Sequence, residues 1–198
     1  MALNFEECER LFRNDRITEL GRDVDGVRFL KLRSLNRREG LERLFGIAQI
    51  AAPEGSASQM FRAAFQADIT AAQIENCIRG LYAEERATRN EQEPELINQL
   101  YRLQQFNWGG LHQNSLEKTI VDNYVKKIRN FDLLNDAIEN NLYASMRGYV
   151  LCSWYNHWTS IIIEDIFKDH ANVLPAVGLV KKIDFFIRDT PFEGYLFT

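Results

Sequence analysis

Three carboxylates in the last quarter of the chain have the spacing to act together. Glu164 ends an aromatic and apolar run with helical spacing, and Asp184 interrupts the β-branched and aromatic run Lys-Lys-Ile-Asp-Phe-Phe-Ile. Glu193 follows nine residues later, after a turn around Pro191. Magnesium is a hard cation that prefers carboxylate oxygens, and carboxylates on two adjacent strands can converge on one ion.

A helix carboxylate, then an acid at a strand end, then an acid on the next strand is the order found in the PD-(D/E)xK nuclease core. Residues 145–193 resemble the opening half of that core, as found in type II restriction endonucleases. The resemblance implies a Mg²⁺-dependent endodeoxyribonuclease. It implies Asp184 and Glu193 as metal ligands and Glu164, Asp184 and Glu193 as the catalytic carboxylates, the helix acid orienting water or a second ion.

The third motif departs from the family pattern. A lysine usually stands two residues after the last acid and helps to activate the attacking water, and here Tyr195 occupies that position. Lys181 or Lys182 could substitute for it. We therefore expect a DNA-binding, nuclease-like protein that is incomplete or inactive as written, either a piece of a longer nuclease or a relative that has kept the shape without the catalysis.

Each acid also has a structural interpretation. Glu164 could be the polar edge of its helix or an ion-pair partner, because carboxylates resist burial unless they are paired. Glu193 fits a surface turn. Asp184 is more unusual, since strand alternation places it on the face opposite to Ile183 and Phe185.

A basic stretch predicts the DNA contacts. Residues 16–43 carry eight arginines and lysines against five acids in a chain whose net charge is −4. The guanidinium fork of arginine matches phosphate oxygens, although a solvated helical face explains the same residues. A smaller basic cluster lies at residues 126–129. The predicted DNA-binding residues are Arg28, Lys31, Arg33, Arg37, Arg38, Lys126 and Lys127.

The elements that would position these residues are mostly helices. Apolar side chains recur at helical spacing over residues 3–14, 41–52, 56–65, 68–82, 95–106, 114–128 and 132–168, with a break near Gly148. Residues 15–38 have mixed spacing, which favours a hairpin or an irregular stretch. Pro94 marks a linker. Residues 179–187 predict a strand, and residues 192–198 a second one.

The predicted fold is therefore mainly α, with a multi-helical body and a small C-terminal β element that forms a partial restriction-endonuclease-like core. We divide the chain into a helical region at 1–110 and a region at 111–198 that carries the β element. An open strand edge at 192–198 predicts a homo-oligomer or a protein partner. The alternative function is a helical protein-interaction module of a bacterial defence or regulatory assembly.

Composition excludes several classes of protein. Of the 198 residues, 45% are hydrophobic and 26% charged, as in soluble globular domains. Walker, zincin, paired-cysteine zinc and dinucleotide motifs are missing from the sequence, and the three cysteines fit reduced thiols. The acidic N-terminus has no apolar signal region, and no apolar run would cross a membrane. We therefore expect a cytoplasmic protein.

Overall fold

The structure is a computed structural model, and it describes residues 3–35, 37–103, 118, 120–180 and 183–192. In the first half of the chain these residues form α1 (Phe5–Arg13), α2 (Ile17–Leu20), α3 (Val24–Ser34), α4 (Arg38–Ala48), α5 (Ala57–Gln66) and α6 (Ala71–Tyr101). The second half contains the π-helical turn π1 (Val121–Val125), α7 (Phe131–Ala137), the turn π2 (Ile138–Leu142) and α8 (Tyr143–Lys168). The strands follow as β1 (Val173–Val180), β2 (Ile183–Ile187) and β3 (Thr190–Phe192).

Local sequence signals explain where several helices begin. Asn4 and Glu7 form a capping box at the start of α1, and Ser56 and Gln59 form another at α5. The Asp23 carboxylate accepts hydrogen bonds from two backbone amides of the first turn of α3. These side chains satisfy amide groups that have no partner inside the helix, so each helix has a defined first turn.

The three strands form an antiparallel sheet in the order β1-β2-β3. In the pair β2–β3, Phe185 lies opposite Phe192, Phe186 opposite Pro191 and Ile187 opposite Thr190. The two strands are joined by a two-residue turn, Arg188–Asp189, in which both φ angles are positive (48° and 67°). This is the geometry of a type I′ hairpin turn, whose twist matches that of the flanking strands.

The chain divides into two compact units. Apart from the last two residues, the first contains residues 1–91 and 164–196, and the second contains residues 92–163. The core of the first unit combines α1, α3, α4, α5 and the start of α6 with the sheet. At its centre the rings of Phe5, Phe29 and Phe61 meet edge to face, with centroids 5.1–5.8 Å apart. Such contacts add to the free energy gained from burial.

The predicted fold class is confirmed, because the described residues are mainly helical and their sheet is small and C-terminal. Three local predictions were wrong. Residues 15–38 form α2 and α3 instead of a hairpin, α6 continues through Pro94, and α8 passes Gly148 without a break. The strand predicted at 179–187 is in fact the end of β1 and the whole of β2, and the sheet begins earlier than predicted, at Val173. The predicted helix at 114–128 falls largely outside the described residues, as do positions 193–198 of the predicted last strand.

Candidate functional site

Glu164 lies in the last two turns of α8, where it forms an ion pair. Its carboxylate accepts a hydrogen bond from Lys168 Nζ at 3.0 Å, and both side chains are mostly shielded from solvent. Phe167, one turn further along the same face of the helix, stacks on Phe185 of β2 with ring centroids 6.3 Å apart. This end of α8 therefore contacts the strand that carries Asp184.

Asp184 is the second residue of β2 and is half-buried. Successive side chains of a strand point to opposite faces, so Asp184 shares a face with Phe186 and lies opposite to the face of Phe185. Phe185 stacks on Phe192 of β3 with centroids 5.8 Å apart, and that face of the hairpin contacts α8. Asp184 thus lies on the other face, with Phe186, which is part of the main core.

Glu193, the third predicted catalytic carboxylate and the second predicted metal ligand, lies outside the described residues, as do Lys181, Lys182 and Tyr195. Among the residues that are described, no group of three or more histidine, cysteine, aspartate or glutamate side chains has the arrangement of a metal site. Glu164 and Asp184 are therefore located individually, on α8 and β2, and they are not part of a three-ligand cluster within the described part of the chain.

Arg28 is engaged inside the protein. Its guanidinium donates to the backbone carbonyl oxygens of Ala64, Phe65, Ala67 and Ile69, in α5 and the segment before α6. Burial lowers the pKa of this guanidinium from its ordinary value. These bonds satisfy carbonyl groups at the end of α5, where the helix itself offers no donors. The structure thus gives Arg28 a role in fixing the α5–α6 connection.

Lys31 also points into the protein. Its side chain is only 5% exposed, and its ammonium group forms ion pairs with Glu75 of α6 and Asp189 of the β2–β3 turn. Two cavities of about 450 Å³ and 300 Å³ meet at this ion pair, since Lys31 and Asp189 line both. This buried ammonium therefore connects α3 to α6 and to the β2–β3 turn. In that position it cannot easily reach a DNA phosphate.

The other predicted DNA contacts lie nearer the surface. Arg33 places its guanidinium over the rings of Phe12 and Phe61, with its central carbon 5.1 and 5.4 Å from their centroids. Arg37 and Arg38 are exposed at the start of α4, where Arg38 pairs with Glu42 at 2.7 Å. In the second unit, Lys126 and Lys127 are exposed and bond to residues one turn earlier on the same helical segment.

Sequence reasoning missed a buried polar cluster beside Glu164. Asp165 is 4% exposed and receives two hydrogen bonds from Arg89, at 2.8 and 2.9 Å. Arg86 and the Tyr82 hydroxyl bond to Asp169, one turn after Asp165. Burial, followed by the bond to Asp169, raises the pKa of Tyr82, and the bond to Asp165 raises that of Arg89.

A sequence signal for this cluster exists. Tyr82, Arg86 and Arg89 follow the i, i+4, i+7 spacing of one helix face, and they continue the apolar stripe of Ile74 and Ile78. Asp165 in α8 and Asp169, the residue that follows this helix, have matching i, i+4 spacing. The cluster therefore joins α6 to the end of α8 inside the first unit, and it anchors the turn that carries Glu164.

Comparison of the chain with protein-family models, with curated proteins and with solved structures found no match in any of the three. Among the described helices, none is both long and apolar enough to cross a membrane.

Proposed function

We propose that the protein binds DNA and holds a Mg²⁺ ion through carboxylates of its C-terminal hairpin, in the manner of a PD-(D/E)xK nuclease. The order of the acids along the chain is the observation that supports this proposal. Glu164 lies on α8 and Asp184 on β2, and Glu193 follows Phe192, the last residue of β3, in the sequence.

Carboxylate oxygens are the ligands that Mg²⁺ prefers, and carboxylates carried by neighbouring strands can converge on one ion. When bound, the ion would stabilise charge on a phosphodiester and on an attacking water. Asp184 and Glu193 are thus the proposed ligands.

Glu164 has a secondary place in this proposal. The helix that carries Glu164, α8, precedes the three strands in the chain, which is the order of the nuclease core. The end of α8 contacts β2 through Phe167. The Glu164 carboxylate is paired with Lys168, and Asp184 points to the opposite face of β2 from the one α8 contacts. We therefore assign Glu164 a smaller part in holding the ion than the hairpin pair has.

The proposed DNA contacts are fewer than the seven predicted from the sequence. Arg37 and Arg38 in the first unit, and Lys126 and Lys127 in the second, are exposed and suited to phosphates. Arg28 and Lys31 are not among the proposed contacts. Arg28 donates to backbone carbonyl oxygens, and Lys31 is paired with two carboxylates. Arg33 is held over two phenylalanine rings and is also left out.

Metal binding by Asp184→Asn tests the proposal. We expect the Kd for Mn²⁺, used as a probe for the Mg²⁺ site and measured by calorimetry, to rise at least about tenfold, a loss typical of a disturbed metal site. Asp122→Asn, which only breaks the surface pair with Lys126, is the matched control.

Urea unfolding of the metal-free variant measures whether Asp184→Asn also changes the stability of the fold. A variant that binds Mn²⁺ as the wild type does, or a wild-type chain that binds none, would contradict the proposal. Loss of stability without metal would show that Asp184 is a structural residue of the strand.

A second candidate function is protein binding, and the surface of the second unit favours it. Val125, Phe131, Leu133 and Val150 are each at least 60% exposed there. Large exposed apolar side chains in one region are typical of interaction surfaces. Sedimentation equilibrium over a wide concentration range would separate self-association from binding to another protein.

A further inference from the structure

The smaller of the two cavities that meet at Lys31 lies beside the β2–β3 turn. Its volume is about 300 Å³, at the lower end of the range for ligand pockets in proteins. The described residues that line it all belong to the first unit. Three of them are cations and two are carboxylates: Lys31, Arg79 and Arg188 with Glu75 and Asp189. We call this space the turn cavity.

Both carboxylates of the turn cavity bond to one cation. Lys31 Nζ donates to Glu75 at 2.7 Å and also to Asp189. An ammonium group has three donors, so one N–H group of Lys31 has no partner among the described residues. Neither Arg79 nor Arg188 forms an ion pair with a carboxylate in the described part of the chain. The two guanidinium groups are therefore the cations of the cavity that no described acid neutralises.

The guanidinium of Arg79 is held in place by neutral groups. It donates to the carbonyl oxygens of Val173 at 3.0 Å and Ala171 at 3.1 Å, at the start of β1. Glu75, one turn earlier on α6, has the usual spacing for an ion pair with Arg79 but bonds to Lys31 instead. Three of the five N–H donors of Arg79 thus have no partner among the described residues, and its orientation is fixed before any ligand arrives.

Arg188 occupies a position that disfavours arginine. Its φ angle is 48°, in the left-handed region that glycine and asparagine adopt at little cost, and its side chain is exposed. Residues kept in such a conformation are often found at functional sites. Arg188 lines the same cavity as Arg79, and the ion pair of Lys31 with Asp189 ties the turn that carries it to α3. An arginine at this position therefore calls for a role of its side chain.

We propose that the turn cavity binds the phosphate group of a small phosphorylated molecule, with Arg79 and Arg188 as its main ligands. The guanidinium fork matches phosphate oxygens, and a phosphate monoester has enough oxygens and negative charge for two guanidinium groups to share it. Asn172, which also lines the cavity, and the remaining N–H group of Lys31 are further donors. The opposing charges are those of Glu75 and Asp189, and Lys31 holds both. This site goes beyond the proposed function and shares no residue with the proposed metal ligands.

The variant Arg188→Asn separates binding from folding. Calorimetry on the full chain measures the Kd for inorganic phosphate and for glycerol 1-phosphate, with chloride keeping the ionic strength constant. We expect Arg188→Asn to raise both Kd values at least about tenfold, the loss that follows from one charge-assisted hydrogen bond. The urea midpoint should stay the same or rise, because asparagine adopts a positive φ readily. A residue that only supports the fold would not separate the two readouts in this way.

Arg22→Asn is the matched control, because it removes the same charge from an exposed position of the first unit outside the turn cavity, and it should leave the Kd unchanged. Arg79→Gln should also raise the Kd about tenfold when compared under conditions in which circular dichroism shows it fully folded. Its urea midpoint should fall, since two bonds to β1 are lost.

Several results would overturn the proposal. They are a wild-type chain that binds neither phosphate compound at millimolar concentration, an unchanged Kd in either arginine variant, and glycerol binding as tightly as glycerol 1-phosphate. A duplex oligonucleotide that displaces phosphate, and that itself binds more weakly to Arg188→Asn, would assign the turn cavity to the DNA backbone and overturn the small-molecule site. Binding of Mn²⁺ by the chain has no bearing on these outcomes, so the two proposals fail separately.

Discussion

Arg28 and Arg37 are nine positions apart in the sequence and have different surroundings in the structure. The guanidinium of Arg28 donates to four backbone carbonyl oxygens, whereas Arg37 is exposed at the start of α4. Both belong to the same basic stretch of the sequence. The difference comes from the faces of two neighbouring helices, and it decides which arginine is available to a phosphate.

Replacing Arg28 by lysine should destabilise the protein by about 1–3 kcal/mol, the range for leaving buried acceptors unsatisfied. An ammonium group has three donors on a single nitrogen and cannot span four carbonyl oxygens as the planar guanidinium does. Urea unfolding measures the change, and Arg22→Lys, at an exposed position, should stay within about 0.5 kcal/mol. If Arg28→Lys weakened DNA binding and left stability unchanged, Arg28 would be a phosphate contact after all.

The sequence shows which residues are charged, but it does not show which of them are buried. Glu164 and Asp165 are adjacent acids, and the sequence favoured Glu164 for chemistry and passed over Asp165. In the structure Asp165 is the buried one, held by Arg89, while Glu164 pairs with Lys168. Long-range partners determine which acid is buried, and those partners lie more than seventy positions away in the chain.

At the scale of elements, the longer of the two helices that the sequence failed to predict, α3, is largely enclosed by the protein. Seven of the eleven residues of α3 are buried, including Lys31 and Ser34. A helix buried on most sides has no polar face, so its sequence lacks the 3.6-residue stripe that identifies surface helices. The stripes of α1, α4 and α5 are clear because each has one face in solvent, and those helices were predicted.

The sequence predicted one strand at residues 179–187, whereas in the structure β1 ends at Val180 and β2 begins at Ile183. Most of β1 was therefore missed, and Pro175 is the reason, because proline cannot donate to a sheet and argues against a strand. In the structure Pro175 lies opposite Phe185 in β1, at one edge of the described sheet, where a missing donor is tolerated. The pattern of residues 179–187 was therefore sufficient to predict the sheet but not its full extent.

Pro94 gives a prediction for α6. It lies in the interior of a 31-residue helix, at an exposed position, and it removes the hydrogen bond to residue 90. Pro94→Ala should raise the free energy of unfolding by about 1–3 kcal/mol, because proline in a helix interior costs about 3 kcal/mol relative to alanine. Urea unfolding followed by circular dichroism measures it. Asn90→Ala, one turn earlier, controls for helix propensity alone, and a Pro94→Ala variant less stable than the wild type would refute the prediction.

For the whole molecule, helical periodicity and one β-branched run sufficed to predict a mainly helical protein with a small C-terminal sheet. The division into units was less visible in the sequence. The first unit combines residues 1–91 with residues 164–196, which are separated by more than seventy positions. No local pattern encodes such a contact, because it depends on which apolar faces meet once the helices have formed.

The function proposed for the whole chain predicts weak catalysis. Tyr195 stands where the nuclease family has a lysine, and assistance to the attacking water is typically worth ~10²- to 10⁴-fold in rate. We expect purified protein to leave most supercoiled plasmid DNA intact in Mg²⁺, as judged by agarose gel electrophoresis. Rapid Mg²⁺-dependent cleavage that Asp184→Ala abolishes would show that another group supplies the function of the missing lysine.

The turn at Arg188 and Asp189 limits which mutations the protein accepts. Both positions have positive φ, a conformation that glycine, asparagine and aspartate adopt at little cost and that strains β-branched residues. Position 189 must in addition offer an anion to Lys31, so aspartate is the one common residue that suits both its backbone and its partner. Arg188 is exposed and forms no ion pair with the described residues, so for folding the backbone conformation is the main requirement at position 188, and glycine or asparagine would satisfy it better than arginine. In a deep mutational scan, the two neighbours should therefore differ sharply, with a narrow tolerance at 189 and gains available at 188.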